Sequence, residues 1–371
     1  MKLLIIDPNV SVSSPSMRGV VLALPFLVQR GWSIEVWCWE CDEGLPVDRV
    51  VKLPRVGNVP ALGLHVFGWW AQRRHRQLGR VADVVMSISP YEPNCDACLV
   101  QFSPFDWERR QRVLGMESMR DVYERAVNAL GLWVARRFFR RTTARVVMAV
   151  SEAVANDLRE ENAALNVRLL PNSYDPRRFH AGVRDAFRGE TRRRLGYEEA
   201  QRVFVFASTG HYRRKGFFLA VEAMKELRVK HPEARLLVVG GTPARLAALK
   251  KELGEECEWI SYTGMVTDVE RYFAAADAFL FPSYSEAFAL VEVEAAACGL
   301  PLFLTPHHGA EMILEEGGNG RQIPFDAKGA ANVLAEFLDG SWKPQKAMMK
   351  HAIDSETYAV RLDEMLKEAA A

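Results

Sequence analysis

Two carboxylates separated by seven residues, Glu286 and Glu294, form the densest chemical signal in this 371-residue chain. A loop carrying Glu286 would lead into a helix carrying Glu294 about one turn in. Helical side chains lean toward the helix N-terminus, so both groups would converge there. Carboxylates accept short, strong hydrogen bonds from hydroxyls, and such a pair can hold a polyol. Backbone N–H groups at Phe288, Ala289 and Leu290 would open the same helix and favour a phosphate. Glu292, between Val291 and Val293, reads as a scaffold residue seeking a partner. A second loop runs from Ser208 through Thr209, Gly210 and His211 to Arg213-Arg214-Lys215-Gly216. Consecutive cations just before a helix suit a phosphate or diphosphate. The competing reading is a solvated basic loop, since charge runs are mostly surface. Either way these cations are expected to be exposed and to add little to a core. A third loop, Thr305 to Glu311, is polar but nonspecific, and its histidines are expected to be packed or solvated.

These loops need elements to hold them. Strand-like runs alternate with helical patterns along the whole chain. Leu3–Ile6 reads as a buried strand, followed by a helix over Met17–Gln29. Strands follow at Ser33–Cys38, Val84–Ile88, Ala97–Phe102 and Arg145–Val150, with helices at Leu64–Gly79 and Glu117–Arg141. The stretch with Pro46, Pro54 and Pro60 reads as loose. After a break at Leu170 to Pro176 the grammar restarts, with strands at Val203–Ala207, Arg235–Val239, Trp259–Tyr262, Ala278–Phe281 and Pro301–Thr305. Such alternation implies parallel sheets with right-handed crossovers. The expected fold class is α/β, two Rossmann-like domains facing across a cleft. Ligands of such sheets bind beyond the carboxyl ends of the strands.

Composition bounds the rest. With 48 basic and 47 acidic residues the chain is no polycation, so nucleic acid is not an expected partner. No apolar run approaches the roughly 18 residues of a membrane span. The N-terminus reads as a strand rather than a signal peptide, and the expected compartment is the cytoplasm. Six cysteines are then expected as free thiols. Cys38/Cys41 and Cys95/Cys98 have a zinc-like spacing, but they fall in apolar strand patterns, so no metal site is expected.

The ordered signatures resemble those of retaining GT-B glycosyltransferases of the large fourth family. Glu286 and Glu294 match its E-x7-E motif. Pro282-Ser283-x-x-Glu286-Ala287-Phe288-Ala289-Leu290 and Ala296-Ala297-Cys298-Gly299-Leu300-Pro301 are similar to the run around it. Val150-Ser151, Pro171-Asn172-Ser173-Tyr174-Asp175, Val238-Val239-Gly240 and Thr263-Gly264 look like further signatures. Arg214-Lys215-Gly216 looks like the donor-phosphate loop, most of all that of lipopolysaccharide-core glucosyltransferases. Departures sit mainly in the first half. Ser13-Ser14-Pro15-Ser16 replaces a glycine pair, and the first-domain catalytic histidine or aspartate has no clear match. Gln101, Ser103, Asp106 and Ser16 are the acceptor-side candidates.

The resemblance implies an acceptor-side domain at 1–168, a nucleotide-sugar-binding domain at 169–350 and a terminal helix at 351–371 returning to the first domain. It implies transfer of a hexose-type sugar, with retention, from a UDP- or GDP-linked donor to a glycan or lipid-linked acceptor in cell-surface glycan or lipopolysaccharide synthesis. Glu286 would contact the donor sugar, Glu294 the ribose, and Arg214 and Lys215 the leaving diphosphate. Thr209 and Gly210 would line the donor loop. No D-x-D motif occurs, which suits a reaction without metal or cofactor. Epimerases, phosphorylases and non-catalytic sugar-nucleotide binders share the architecture and remain alternatives. Two stretches, Leu64 to Arg76 and Leu130 to Arg141, combine arginines with tryptophan and phenylalanine. Residues 1–170 carry 22 basic and 18 acidic side chains, the remainder 26 and 29. This pattern suits peripheral association with an anionic inner membrane face. The opposing expectation keeps Trp69, Trp70, Phe138 and Phe139 in the core.

Overall fold

The structure is a computed structural model that describes residues 1–55, 60–113, 119–254, 257–345 and 352–371. The chain divides into two units, one of Met1–Ser173 with Ile353–Ala371 and one of Tyr174–Ala352.

In the first unit, seven parallel strands lie in the spatial order Arg49–Lys52, Ser33–Cys38, Lys2–Ile6, Val84–Ile88, Ala97–Val100, Val146–Ala149, Val167–Leu169. Leu3, Leu4, Ile5 and Ile6 are completely buried at its centre. A parallel strand covered on both faces needs such an unbroken apolar run. The edge strand Arg49–Lys52 falls inside the stretch read as loose. Its two valines are flanked by charges and stay partly exposed, so burial left no periodic trace. A helix at Pro104–Val113 also lacked a sequence signal, because half of its ten residues are charged. The helix Ser355–Ala370 belongs to this unit. Its Asp354 cap accepts from Thr357 N at 2.7 Å, Asp363 accepts from Trp32 Nε1 at 2.8 Å, and Tyr358 is fully buried against Gly19.

In the second unit, six parallel strands take the order Ile260–Tyr262, Ala234–Val239, Arg202–Ala207, Ala278–Phe281, Leu302–Leu304, Gly320–Gln322. Phe204, Phe206, Phe279, Phe281 and Phe303 fill its core. In each sheet the first and fourth main strands are neighbours, and the chain winds outward from them in both directions. That reversal is the switch point where α/β sheets place ligands.

Candidate functional site

In the second unit the switch point lies between Arg202–Ala207 and Ala278–Phe281, paired through Phe204 and Ala278. The loops that follow these strands are the two that carry the sequence signal. They touch. Gly216 has φ +73°, and a Cβ there would run into the carbonyl oxygen of Pro282. Only glycine permits both the left-handed backbone and this approach. Tyr284 N donates to Arg214 O at 2.9 Å, and Arg214 Nη1 donates back to Ser285 O at 2.9 Å.

This stitching brings Lys215 Nζ to 2.9 Å from Glu286 Oε1. Ser283 Oγ lies 3.0 Å from the same oxygen, and the ammonium sits 5.0 Å from the Phe281 ring centroid. The lysine side chain is only 18% exposed and the glutamate 10%, so the expectation of a solvated loop is corrected for Lys215. The pair closes over Phe281 because the glycine contact pulls the loop down. Burial alone would raise the Glu286 carboxyl, but Lys215 and Arg214 outweigh it and hold it at about 2. Arg245 enters from the helix Pro243–Leu253 and donates to Thr209 O at 2.6 Å. Partial burial, then the Arg214, Lys215 and Arg245 cations, hold the His211 imidazole below its ordinary value. His211 also has a left-handed φ of 56°, strain of the kind found at binding loops. Three cations therefore converge around His211, with Arg245 against Thr209 and Gly210. Arg245 was not among the sequence candidates, because only the fold carries it across to this loop.

The helix Leu290–Ala297 starts from Ala289, which has no side chain to cap it. Phe288 and Ala289 are buried, and Glu294 is 4% exposed in the second turn. Beneath lies a pair that motif reading did not assemble. His307 Nε2 stands 2.9 Å from Glu292 Oε1, both side chains with no exposure. Burial would lower His307, but the adjacent carboxylate outweighs it and raises the imidazole to about 9. Glu292 thus has its partner, and His307 is packed.

The first-unit candidates do not gather. Ser16 lines a cavity of about 360 Å³ with Asp7, Ser14, Trp39, Ser89 and Tyr91. Gln101 Nε2 donates instead to Asn172 Oδ1 at 2.9 Å. Ser103 Oγ bonds Asp157 and accepts from Asp106 N at 3.2 Å, so Ser103 caps the helix Pro104–Val113 and Asp106 is buried in its first turn. Of the four, only Ser16 lines the cavity. All six cysteines are free thiols, and burial pushes Cys38 up to about 11. Among the described residues no three His, Cys, Asp or Glu side chains gather as a metal site. No helix among them is long and apolar enough to cross a membrane.

Residues 187–354 match the family described as glycosyl transferases group 1. The D-inositol 3-phosphate glycosyltransferase of Corynebacterium jeikeium is 33% identical over 184 residues, 46% of this chain and 43% of that protein. The chain therefore spans less than half the length of this curated relative. The lipopolysaccharide-biosynthesis glycosyltransferase WaaG has a similar structure, with TM-score 0.70 and 18% identity, covering 99% of this chain and 95% of that one. Anabaena Alr3699/HepE in complex with UDP-glucose gives TM-score 0.71 and 17% identity over 99% of both chains. The fold is that of the GT-B glycosyltransferases, two Rossmann-like units in one chain.

Proposed function

We propose that this chain, whose second unit carries a group 1 glycosyl transferase domain, moves a hexose-type sugar from a nucleotide diphosphate sugar to an acceptor hydroxyl with retention. The observation that carries this reading is the Lys215–Glu286 pair at the switch point, with Arg214 and Arg245 beside it. An ammonium has three N–H donors, and Glu286 takes one, leaving lysine able to meet a diphosphate. Arg214, Lys215 and the backbone of Phe288, Ala289 and Leu290 would stabilise the charge that grows on the leaving diphosphate, with no metal required. Glu286, held ionised, accepts from donor-sugar hydroxyls, and Glu294 accepts from the ribose. The bond from the anomeric carbon to the phosphate oxygen breaks as the bond to the acceptor oxygen forms on the same face. The acceptor proton passes to the departing phosphate.

The donor is UDP- or GDP-linked, and UDP is favoured by the likeness to the HepE complex with UDP-glucose. The first unit takes the acceptor, a glycan or lipid-linked molecule of cell-surface or lipopolysaccharide synthesis, as the likeness to WaaG favours. A cytoplasmic enzyme resting on an anionic membrane face fits the exposed Trp69 and Trp133, at 50% and 60% exposure, each with an arginine over its ring. Incubation with a panel of UDP- and GDP-sugars and glycoside acceptors tests the reading. Acceptor-dependent nucleoside diphosphate release, with a product of the donor's anomeric configuration, is expected. Release with inversion, epimerised nucleotide sugar or no turnover at all would overturn it.

A further inference from the structure

Beneath Glu286 lies the Glu292–His307 pair, with no exposure on either side chain. An ion pair buried in this way is often no more stabilising than apolar residues of similar volume, so stability alone does not explain its place under the site. The contact is ionic rather than a directed hydrogen bond: His307 Nε2 and both Glu292 carboxylate oxygens are buried with no hydrogen-bond partner. On the other side of the ring, Nδ1 lies 3.1 Å from His308 O. A carbonyl oxygen only accepts, so Nδ1 carries a proton, and Nε2 facing a carboxylate gains from carrying one as well. The surroundings therefore favour the imidazolium.

The loop bearing His307 is tied to the loop bearing Glu286. His307 N donates to Thr305 O at 2.9 Å, and Thr305 Oγ1 donates to Ser283 O at 2.5 Å. Ser283 Oγ in turn donates to Glu286 Oε1 at 3.0 Å. Gly309 has φ +89°, and a Cβ there would come within 2.7 Å of Phe288 Cα. The His307 ring stands perpendicular to Phe281, centroids 6.3 Å apart, and Phe281 is the ring beneath the Lys215 ammonium. Glu292, His307, Glu286 and Lys215 thus alternate in charge, and Arg214 adds to the field at Glu286 from the loop that carries Lys215.

We propose that His307 is a positioning residue for sugar transfer: its imidazolium, anchored by Glu292, holds the Glu286 carboxylate ionised and in place for the donor sugar. The proposal rests on the glycosyl-transfer reading for the part that Glu286 plays. Without the imidazolium proton, Glu292 is a second buried carboxylate with no counter-charge of its own, and it competes with Glu286 for Lys215. Burial would lower His307, but Glu292 and then Glu286 outweigh it and raise the imidazole to about 9. Positioning is therefore complete below that value, and transfer is expected to decline as pH rises through it.

Two measurements on the full chain test this. The first needs no turnover. Nitrogen-15 NMR of labelled histidine follows the His307 ring across pH in the parent and in Glu286→Gln, the signal assigned by its loss in His307→Gln. The imidazolium is expected to persist to about pH 9, and its midpoint to fall by about half a pH unit or more in Glu286→Gln. An unmoved midpoint would overturn the coupling. The second is the pH profile of kcat/KM for whichever nucleotide sugar of the panel is turned over. Glu292→Gln is expected to move the alkaline limb down by about one pH unit or more and to lower kcat/KM near neutrality about tenfold. The double variant Glu292→Gln/His307→Gln removes both charges without leaving one buried alone. It is expected to lose the limb and to stay low at every pH. Parent kcat/KM in the double variant, or the parent limb in Glu292→Gln, would reduce the pair to scaffold and overturn the proposal. If no nucleotide sugar is turned over while Glu286→Gln still moves the His307 midpoint, the glycosyl-transfer reading falls and the hold of His307 on Glu286 stands.

Discussion

The two sheets share one winding order, yet their switch points are chemical opposites. In the second unit three cations converge, a buried glutamate pairs with one of them, and the loops lock through a glycine. In the first unit a buried aspartate lines a cavity where Arg55, the one lining cation among the described residues, pairs with Glu40 in an exposed contact. A common fold places loops at a common edge, and the residues on them decide which charges and polar groups that edge offers.

The comparison breaks first at its cations. Lys215→Ala leaves Glu286 buried without its partner and removes a phosphate donor. Breaking a buried pair costs about 3–5 kcal/mol. We expect kcat/KM for transfer to fall by at least about 100-fold and thermal stability to drop with it. Arg55→Ala, the equivalent removal in the first unit, breaks an exposed pair and is expected to leave nucleoside diphosphate affinity within about twofold, as exposed pairs contribute ~0–1 kcal/mol. Titration calorimetry with UDP on both variants decides. Equal losses would show that the cations of the second unit have no special part.

The carboxylates sharpen the contrast through opposite signs. Glu286 sits at about 2, below its ordinary 4.5, so its charged form stabilises the fold above pH 4.5, and that contribution is lost as pH falls toward 2. Asp7 sits at about 7, above its ordinary 3.8, so its contribution is present below pH 3.8 and is lost as pH rises through 7. Glu286→Gln should therefore destabilise at neutral pH and flatten the acid limb. Asp7→Asn should stabilise above pH 7. Each effect is on the order of 2–4 kcal/mol, read by urea unfolding across pH. Matching signs would refute the opposition.

Legibility followed the same division. The Lys215–Glu286 cluster joins two short segments, 208–216 and 282–286, so residue spacing alone drew attention to Arg214, Lys215 and Glu286. Arg245 and the Glu292–His307 pair were hidden because each partner arrives from another strand's loop. The strands Ser33–Cys38, Val84–Ile88 and Ala278–Phe281 were readable because buried parallel strands are continuous apolar runs. Arg49–Lys52 was not, since an exposed edge needs no such run. The first-unit cavity takes residues from positions 7 to 16, 39 to 64 and 89 to 91, and no local pattern unites them. Ser103 looked chemical in sequence, and the fold sets its hydroxyl against Asp106 N and Asp157 at the start of a helix.

A smaller effect concerns the scaffold under the second site. His307 is raised to about 9, so the stability it lends is full below pH 6.5 and lost as pH rises through 9. Glu292→Gln should remove that alkaline decline and cost about 1–3 kcal/mol at pH 7, read by thermal unfolding at pH 7 and 10. An unchanged alkaline limb would remove the pair from the account.

Smaller again is the membrane effect, which tests whether the first unit's basic surface acts at all. Of the four residues expected in the core, Phe138 and Phe139 are buried, Trp70 is half-buried and Trp69 is exposed, as is Trp133. Arg73 and Arg137 lie 5.7 and 5.9 Å from those two rings. Each basic residue near an anionic surface contributes about 1 kcal/mol. Co-sedimentation with anionic liposomes should fall roughly five-fold for each of Arg73→Glu and Arg137→Glu and should decline with salt. No sedimentation of the parent chain at low salt would leave a soluble acceptor as the better reading.

The last test expects no change, and for that reason it bears on both regions at once. If Arg214, Lys215 and Arg245 neutralise the leaving diphosphate, excess EDTA should leave the transfer rate within error. A divalent ion would be redundant where three cations already converge. Should EDTA abolish turnover and Mg²⁺ or Mn²⁺ restore it, the positive charge must come from elsewhere. The carboxylates at the first switch point, Asp7 and Glu40, would then become the first ligands to test, since hard divalent cations seek oxygen donors. Asp7→Asn would lose metal-restored activity in that case. The same variant would keep full EDTA resistance if the cations of the second unit suffice.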